Sequence, residues 1–355
     1  MYMNQAFAPE NSDFELETPS VERSLQRLYE GGSLSADQSQ CLFSALVAGQ
    51  LSEPVIAAML IALRLSGETT ETLIGAGRAL RSADADFPRP DYLFADTCGT
   101  GGDGSGSINI STAVAFVAAA AGLPIVKHGN RSFSSRCGSA DVLEQLGARL
   151  EIAAEQSRRV LDETGICFLF APAYHPGLAH AGPVRRALKV RTIMNVLGPC
   201  LNPAEPPVQL LGVARPDLLQ PVAATLAALG VETALVVHGA GLDEVALHGP
   251  TDALRLSQGR IEPLTLTPEQ GGFTRAPVTK VRGGNVEENG ERLAALLRGE
   301  GNEADRRIVA LNAGALLMTA GLAEDFRDGV KLSEAVIASG EGYRRLKRFV
   351  EATHA

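Results

Sequence analysis

The sequence predicts an α/β protein: a small N-terminal all-helical domain, then a large α/β domain whose mainly parallel sheet is flanked by helices. Three observations predict it. Residues 21 to about 85 carry helical periodicity with helix caps and no strand between them. After the Pro-punctuated linker "DADFPRPD", short β-rich runs alternate with helical segments, the pattern of parallel strands covered on both faces. From about Glu287 to Ala355 the chain reads as helix again. The expected division is a disordered extension over 1–20, a helical domain over 21–90 completed by a helical segment near 175–195, and an α/β domain over 91–355.

The elements follow in order. "VERSLQRLYEGG" places Val21, Leu25 and Leu28 on one helix face and stops at Gly31-Gly32. In "SADQSQCLFSALVAG", Ser35 and Gln38 have capping-box spacing and Gly49 closes the helix. "SEPVIAAMLIALRLSG" begins with Ser52 as cap and Pro54 in the first turn, and "TTETLIGAGRALRSA" repeats the pattern. Beyond the linker, "YLFAD", "PIVKHG", "CFLFAPA", "VQLLGVA" and "TALVVHG" read as strands. "TAVAFVAAAAG" and "LLQPVAATLAALG" read as helices between them.

Composition narrows the function. A net charge of -9 argues against a nucleic-acid binder, which needs a basic face. The same charge means that an anionic ligand needs a local positive cluster or a metal. Five scattered cysteines without a CxxC pair predict a reducing compartment and no zinc site. The start is expected to be no signal peptide, and the longest apolar stretch, "TAVAFVAAAAGLPIV", is too short to span a bilayer. A cytoplasmic protein without a membrane partner is the expectation.

Four stretches carry chemistry. In "GTGGDGSGSINIST" (99–112), between a strand and a helix, glycines let ligand oxygens reach backbone N–H groups beside a helix N-terminus. Ser107, Asn109, Ser111 and Thr112 add polar groups. The loop is neither a Walker loop nor a dinucleotide fingerprint. "KHGNRSFSSRCGSADVLEQLG" (127–147) offers Lys127, His128, Arg131 and Arg136. It adds donors at Asn130, Ser132, Ser134, Ser135 and Ser139, flexibility at Gly129 and Gly138, and Ser139 as a helix cap. "VVHGAGLDEVALHGPT" sets Asp243 and Glu244 on a turn, a pair suited to Mg²⁺ together with water and phosphate oxygens. "APAYHPGLAHAGPVRRALKVRTIMNVLGP" holds Arg185, Arg186 and Arg191, able to fork a carboxylate, and His175 in a setting that suits a flat ring. No hydrolytic triad and no zinc-ligand His pair is indicated, His175 and His180 being five apart.

These stretches together resemble the anthranilate phosphoribosyltransferase family. The resemblance rests on Gly-Thr-Gly-Gly-Asp (99–103), Asn-Ile-Ser-Thr (109–112), Lys-His-Gly-Asn-Arg-Ser (127–132), "VRR" (184–186), "LGPCLNPA" (197–204) and Asp243-Glu244, all in the family's order. It implies a fold related to pyrimidine nucleoside phosphorylases, a hinge between the domains and a homodimer through the helical parts. It also implies Mg²⁺-dependent transfer of phosphoribosyl from 5-phosphoribosyl 1-diphosphate to the amino group of anthranilate, in tryptophan biosynthesis.

Carried over position by position, the resemblance implies donor contacts at Gly99, Gly102, Asp103, Ser107, Asn109, Ile110, Ser111, Thr112, Lys127, His128, Gly129, Asn130, Arg131, Ser132, Ser134, Ser135 and Ser139. It implies anthranilate contacts at Gly99, His128, Asn130, His175 and Arg185, with Arg186 the alternative arginine. Two Mg²⁺ per subunit would sit at Ser111, Asp243 and Glu244. No dedicated acid or base is expected, because the attacking amine is neutral. The chain departs from the family at Cys98, Gly104–Ser107, Cys137 and Cys200, which touches substrate affinity and redox sensitivity rather than the reaction. A nucleoside phosphorylase-like enzyme and a non-catalytic nucleic-acid-binding paralogue are the rival readings.

Overall fold

The computed structural model describes residues 19–132 and 136–355. Helices α1 (Val21–Tyr29), α2 (Ala36–Val47), α3 (Glu53–Ser66) and α4 (Thr70–Arg81) come first. Ser35 accepts from Gln38 N while Gln38 Oε1 accepts from Ser35 N, so the expected capping box starts α2. Thr69 caps α4 through Thr72 N, and Pro54 lies in the first turn of α3, whose cap residue Ser52 makes no side-chain bond.

The chain then alternates: β1 (Ala95–Gly99), α5 (Ile110–Ala120), β2 (Ile125–Gly129), α6 (Ser139–Gln145), α7 (Ala154–Thr164) and β3 (Ile166–Phe170). The short helices α8 (Ala171–Tyr174), α9 (Gly182–Leu188) and α10 (Ile193–Leu197) follow. After them come β4 (Val208–Gly212), α11 (Leu219–Ala228), β5 (Thr233–His238), β6 (Thr251–Ser257) and β7 (Arg260–Leu266). The closing helices are α12 (Val286–Leu297), α13 (Glu303–Thr319), α14 (Phe326–Ser339) and α15 (Glu341–Ala352).

The sheet has strand order β3-β2-β1-β4-β5-β6-β7. β1 to β5 are mutually parallel and β6 and β7 run antiparallel. Two differences from the expected strands have physical causes. The first strand begins at Ala95 rather than Tyr92, because Tyr92 is tied to another partner: its hydroxyl donates to Asp162 at 2.6 Å and Arg158 lies over its ring. The β6–β7 hairpin is absent from the expected strands. Exposed polar residues stand on both of its faces, Asp252 on one and the cross-strand pair Arg255 and Glu262 on the other, and a Gln258-Gly259 turn with positive φ at both residues joins the strands.

Both faces of the sheet are covered. Leu210 and Leu235 join the core under α5 and α13, while their neighbours Leu211 and Val236 join a second core shared with the helical unit. That second core includes Leu42, Phe43, Leu60 and Leu73 of the first helices, Val184 and Ile193 of α9 and α10, and Leu226 of α11. The excursion after β3 therefore packs on the N-terminal helices; Gly177 lies so close to Val47 that a Cβ there would meet its side chain at 2.7 Å. No described helix is long and apolar enough to cross a membrane.

Candidate active site

The glycine loop leaves the carboxyl end of β1, the Lys127 segment leaves the adjacent β2, and the acidic turn follows β5. In a parallel sheet all three open on one edge, where ligands gather. They line a cavity of about 390 Å³, within the usual range for a small-ligand site.

Residue packing explains how the acidic turn reaches the loop. Gly99 and Gly212 are register partners on β1 and β4. A Cβ on Gly212 would lie 1.6 Å from the Asp243 carbonyl oxygen, and one on Gly99 would lie 2.3 Å from its carboxylate. Two bare backbones side by side make the slot that Asp243 fills, the usual reason for glycine where another backbone approaches a strand. Gly239 does the same for the Glu244 carbonyl. From behind, the buried Asn312 of α13 donates to Val245 O and accepts from Val245 N, fixing the turn. Asp243 Oδ2 then accepts from Gly101 N at 2.6 Å.

The carboxyls gathered here repel one another. Burial and then Asp103 push Asp243 up to about 7, and burial and then Asp243 push Glu244 well above the carboxylate range. Lys127 and a bond from Ser111 N pull Glu244 back towards ionisation. Asp103 Oδ1 accepts from Ser105 N and Oγ, whereas its Oδ2 is buried without a partner. Among the described residues no group of three acids, histidines or cysteines forms a cluster able to hold a metal by itself. Two or three partly buried oxygens short of positive partners still fit Mg²⁺, which keeps waters and takes substrate phosphates as further ligands.

Lys127 is buried and its Nζ donates to Thr97 O at 2.6 Å and to Ser111 Oγ at 3.2 Å, so its charge is held at the start of α5. Its strand neighbour is anchored from below: buried Asp96 accepts from Thr97 N and His128 N, and from Asn202 Nδ2, which also donates to Val126 O. That gives Asn202 of the "LGPCLNPA" run a structural reason, the stitching of β1 to β2.

The sequence-predicted site residues sort as follows. Gly99, Gly102, Asp103, Ser107, Asn109, Ile110, Ser111, Thr112, Lys127, His128, Gly129, Asn130, Arg131, Ser132, Ser139, His175, Arg185, Asp243 and Glu244 all line the cavity. Ser134 and Ser135 lie outside the described residues.

Several roles differ from expectation. Arg131 turns its guanidinium to Glu144 and Glu151 and over the Phe170 ring, so its charge is already partnered. Ser139 does not cap α6; Gly138 holds that position, and Asp141 Oδ2 accepts from both Gly138 N and Ser132 N. Asn109 donates to Cys137 O and accepts from Asn289, tying the two donor loops to α12. Of the adjacent arginines, Arg185 lines the cavity, with burial lowering its proton affinity, while Arg186 is exposed.

Arg191 carries more than its place in the sequence suggested. Its Nη2 donates to Thr100 O at 2.6 Å, and a Cβ on Gly102, whose φ is +77°, would meet its guanidinium at 2.0 Å. This arginine backs the glycine loop beside Asp103 and Asp243. The departures Cys98 and Cys200 are buried thiols, Cys200 pushed up to about 12 by burial and Cys98 well above the thiol range, so neither is a reactive thiolate.

Two family models match the chain: the glycosyl transferase helical bundle domain over residues 23–83, and the glycosyl transferase a/b domain over residues 91–343. An anthranilate phosphoribosyltransferase of Sorangium cellulosum is 55% identical, covering 92% of this chain and 94% of its own. The crystal structure of anthranilate phosphoribosyltransferase from Thermus thermophilus superposes with a TM-score of 0.88 at 41% identity, covering 94% of this chain and 99% of that one. The Saccharomyces cerevisiae enzyme, solved in complex with PRPP and Mg, shares the fold with a TM-score of 0.86 at 24% identity, covering 94% and 98%.

Proposed function

The chain belongs to the anthranilate phosphoribosyltransferase family, and from that premise we propose that it transfers phosphoribosyl from 5-phosphoribosyl 1-diphosphate to the amine of anthranilate, releasing diphosphate. The observation that carries the reading is the convergence of the glycine loop, Lys127 and the Asp243–Glu244 turn on one cavity whose other wall presents His175 and Arg185.

The reaction breaks the C1–O bond of the ribose with both electrons leaving on diphosphate. Charge on the leaving group is therefore the main thing to stabilise. Backbone N–H groups of the loop and of the first turn of α5 would face the phosphates, and Lys127, held by Thr97 O, would add positive charge. Asp243 and Glu244, with the Ser111 hydroxyl, would hold Mg²⁺, two ions per subunit in this reading; when bound it neutralises charge on the diphosphate. Arg185 would fork the anthranilate carboxylate, and His175 with Leu178 and Met194 would wall its ring. Holding both substrates in line supplies much of the remaining acceleration.

The test is the loss of anthranilate fluorescence on mixing the protein with donor and Mg²⁺. Consumption that needs all three components supports the reading, and fluorescence unchanged in the complete mixture overturns it. Arg185→Ala is expected to raise the KM for anthranilate about 10- to 100-fold, the worth of a charged hydrogen bond. The KM for the donor should stay within about twofold; a fall in donor affinity instead would reassign that arginine.

The reading extends to a homodimer formed through the helical unit. Its support is the exposure of Tyr29 and Leu65, 48% and 81%, on the adjacent helices α1 and α3. Light scattering should return twice the 37.2 kDa chain mass; the chain mass alone contradicts it. A reducing, cytoplasmic setting is supported by five cysteines without a disulfide.

A further inference from the structure

Beside the acceptor wall, three buried side chains form a line. His175 Nδ1 lies 2.5 Å from Asp84 Oδ1, and His175 Nε2 lies 3.0 Å from His128 Nε2. The two rings meet edge to face at 74°, with centroids 4.9 Å apart. Asp84 belongs to the linker after α4, and the next residue secures it: Ala85 N donates to Tyr174 O at 2.8 Å, directly before His175. Of the three, only the histidines line the cavity.

The sense of these bonds follows from the carboxylate at one end. Burial raises the pKa of Asp84, and His175 and Arg81 oppose that shift; in its ionised form the carboxylate only accepts, so Asp84 takes the Nδ1–H of His175 and leaves His175 Nε2 as an acceptor. That acceptor takes the Nε2–H of His128, which leaves the His128 lone pair on Nδ1. The balance of the surroundings holds His128 neutral: burial, then His175 and Lys127, disfavour its charged form and outweigh a bond to the Gly198 main chain, which favours the charged ring. Asp84 in turn faces Arg81 and Glu205 as well as His175, and Asp96 holds the His128 backbone N–H.

We propose that Asp84, acting through His175, fixes His128 as its Nε2–H tautomer, so that His128 Nδ1 accepts the proton that the anthranilate amine sheds. The proposal rests on the function given above and adds to it a proton acceptor that the residue types alone did not suggest. The balance is complete. The amine lone pair forms the N–C1 bond, the C1–O pair departs on diphosphate, and the N–H proton passes to His128 Nδ1. The imidazolium so formed keeps its Nε2–H on His175 and lies one ring away from the Asp84 charge, then returns the proton to water. His128 is the catalytic residue here and Asp84 a positioning residue.

Two measurements on the full chain test this. ¹⁵N-histidine NMR of the unliganded protein at about pH 7.5 resolves the tautomers among six histidines, with His128 and His175 assigned by single His→Gln variants. The expected pattern is a proton on Nε2 and none on Nδ1 for His128, and a proton on Nδ1 for His175. A His128 protonated on Nδ1 overturns the proposal. In single-turnover assays, Asp84→Asn should lower the rate about tenfold or more, leave the donor KM within about twofold, and be partly rescued by Asp84→Glu. An unchanged rate, or a loss confined to the anthranilate KM, also overturns it. Parent protein that consumes no anthranilate defeats the proposed function, whereas the tautomer measurement judges the chain of bonds independently.

Discussion

Replacing Asp243 and Glu244 together by alanine is expected to lower turnover about a thousandfold or more, the scale of removing several kcal/mol of charge stabilisation. The effect should be large because the two side chains do little else. Asp243 holds the Gly101 amide and Glu244 the Ser111 amide, and the turn that carries the pair is fixed by its backbone through Asn312. Their removal also relieves like-charge repulsion with Asp103, so the double variant should fold at least as well as the parent. Lost turnover with an unchanged melting temperature, together with weakened dependence on Mg²⁺, is the predicted signature. Turnover within about threefold of the parent would remove both acids from the reaction.

Gly212→Ala should be nearly as damaging by a different route. The added methyl meets the carbonyl oxygen of Asp243 at 1.6 Å and its carbonyl carbon at 2.3 Å, both main-chain atoms that no rotamer change can move. The acidic turn must retreat from the sheet edge. Overpacking of this kind costs about 1–3 kcal/mol, or several degrees in melting temperature for a protein of this size. A displacement of about 1 Å at the acids costs roughly a hundredfold in rate. Measured melting temperature and kcat should therefore fall together, unlike the double acid variant, in which only kcat falls. A Gly212→Ala protein with the parent's kcat would show that the turn does not need the slot.

The contrast between these variants marks what was legible in the sequence. Strands β2 to β5 were readable because strands buried on both faces are apolar runs, while β1, whose residues are ADTCG, was placed three residues early on the apolar stretch before it; the helix starts were readable because Ser35 and Thr69 stand at capping positions. The β6–β7 hairpin was not, since an edge pair with Asp252 exposed on one face and Arg255 and Glu262 on the other reads as a polar loop. Motif residues of the site were readable through their resemblance to a family.

The residues that assemble the site were not readable. Gly212, Gly239 and Asn312 come from three distant elements, and each looks ordinary in its own stretch. A glycine at the end of an apolar strand and an asparagine inside an apolar helix were the available signals, and both say that another backbone comes close. Asp84 sat in a linker, where nothing in the sequence pairs it with a histidine 91 positions away. Arg131 shows the opposite case: a basic residue in a motif that lines the cavity while its charge is partnered by acids that only the fold brings near.

Anomalous diffraction from crystals soaked with Mn²⁺ and 5-phosphoribosyl 1-diphosphate tests the central claim most directly. Metal density touching the carboxylates of Asp243 and Glu244, with the diphosphate against the backbone of residues 99–112 and the ribose C1 turned towards Arg185, is the predicted result. A donor bound elsewhere, or metal away from both acids with the glycine loop empty, would contradict it.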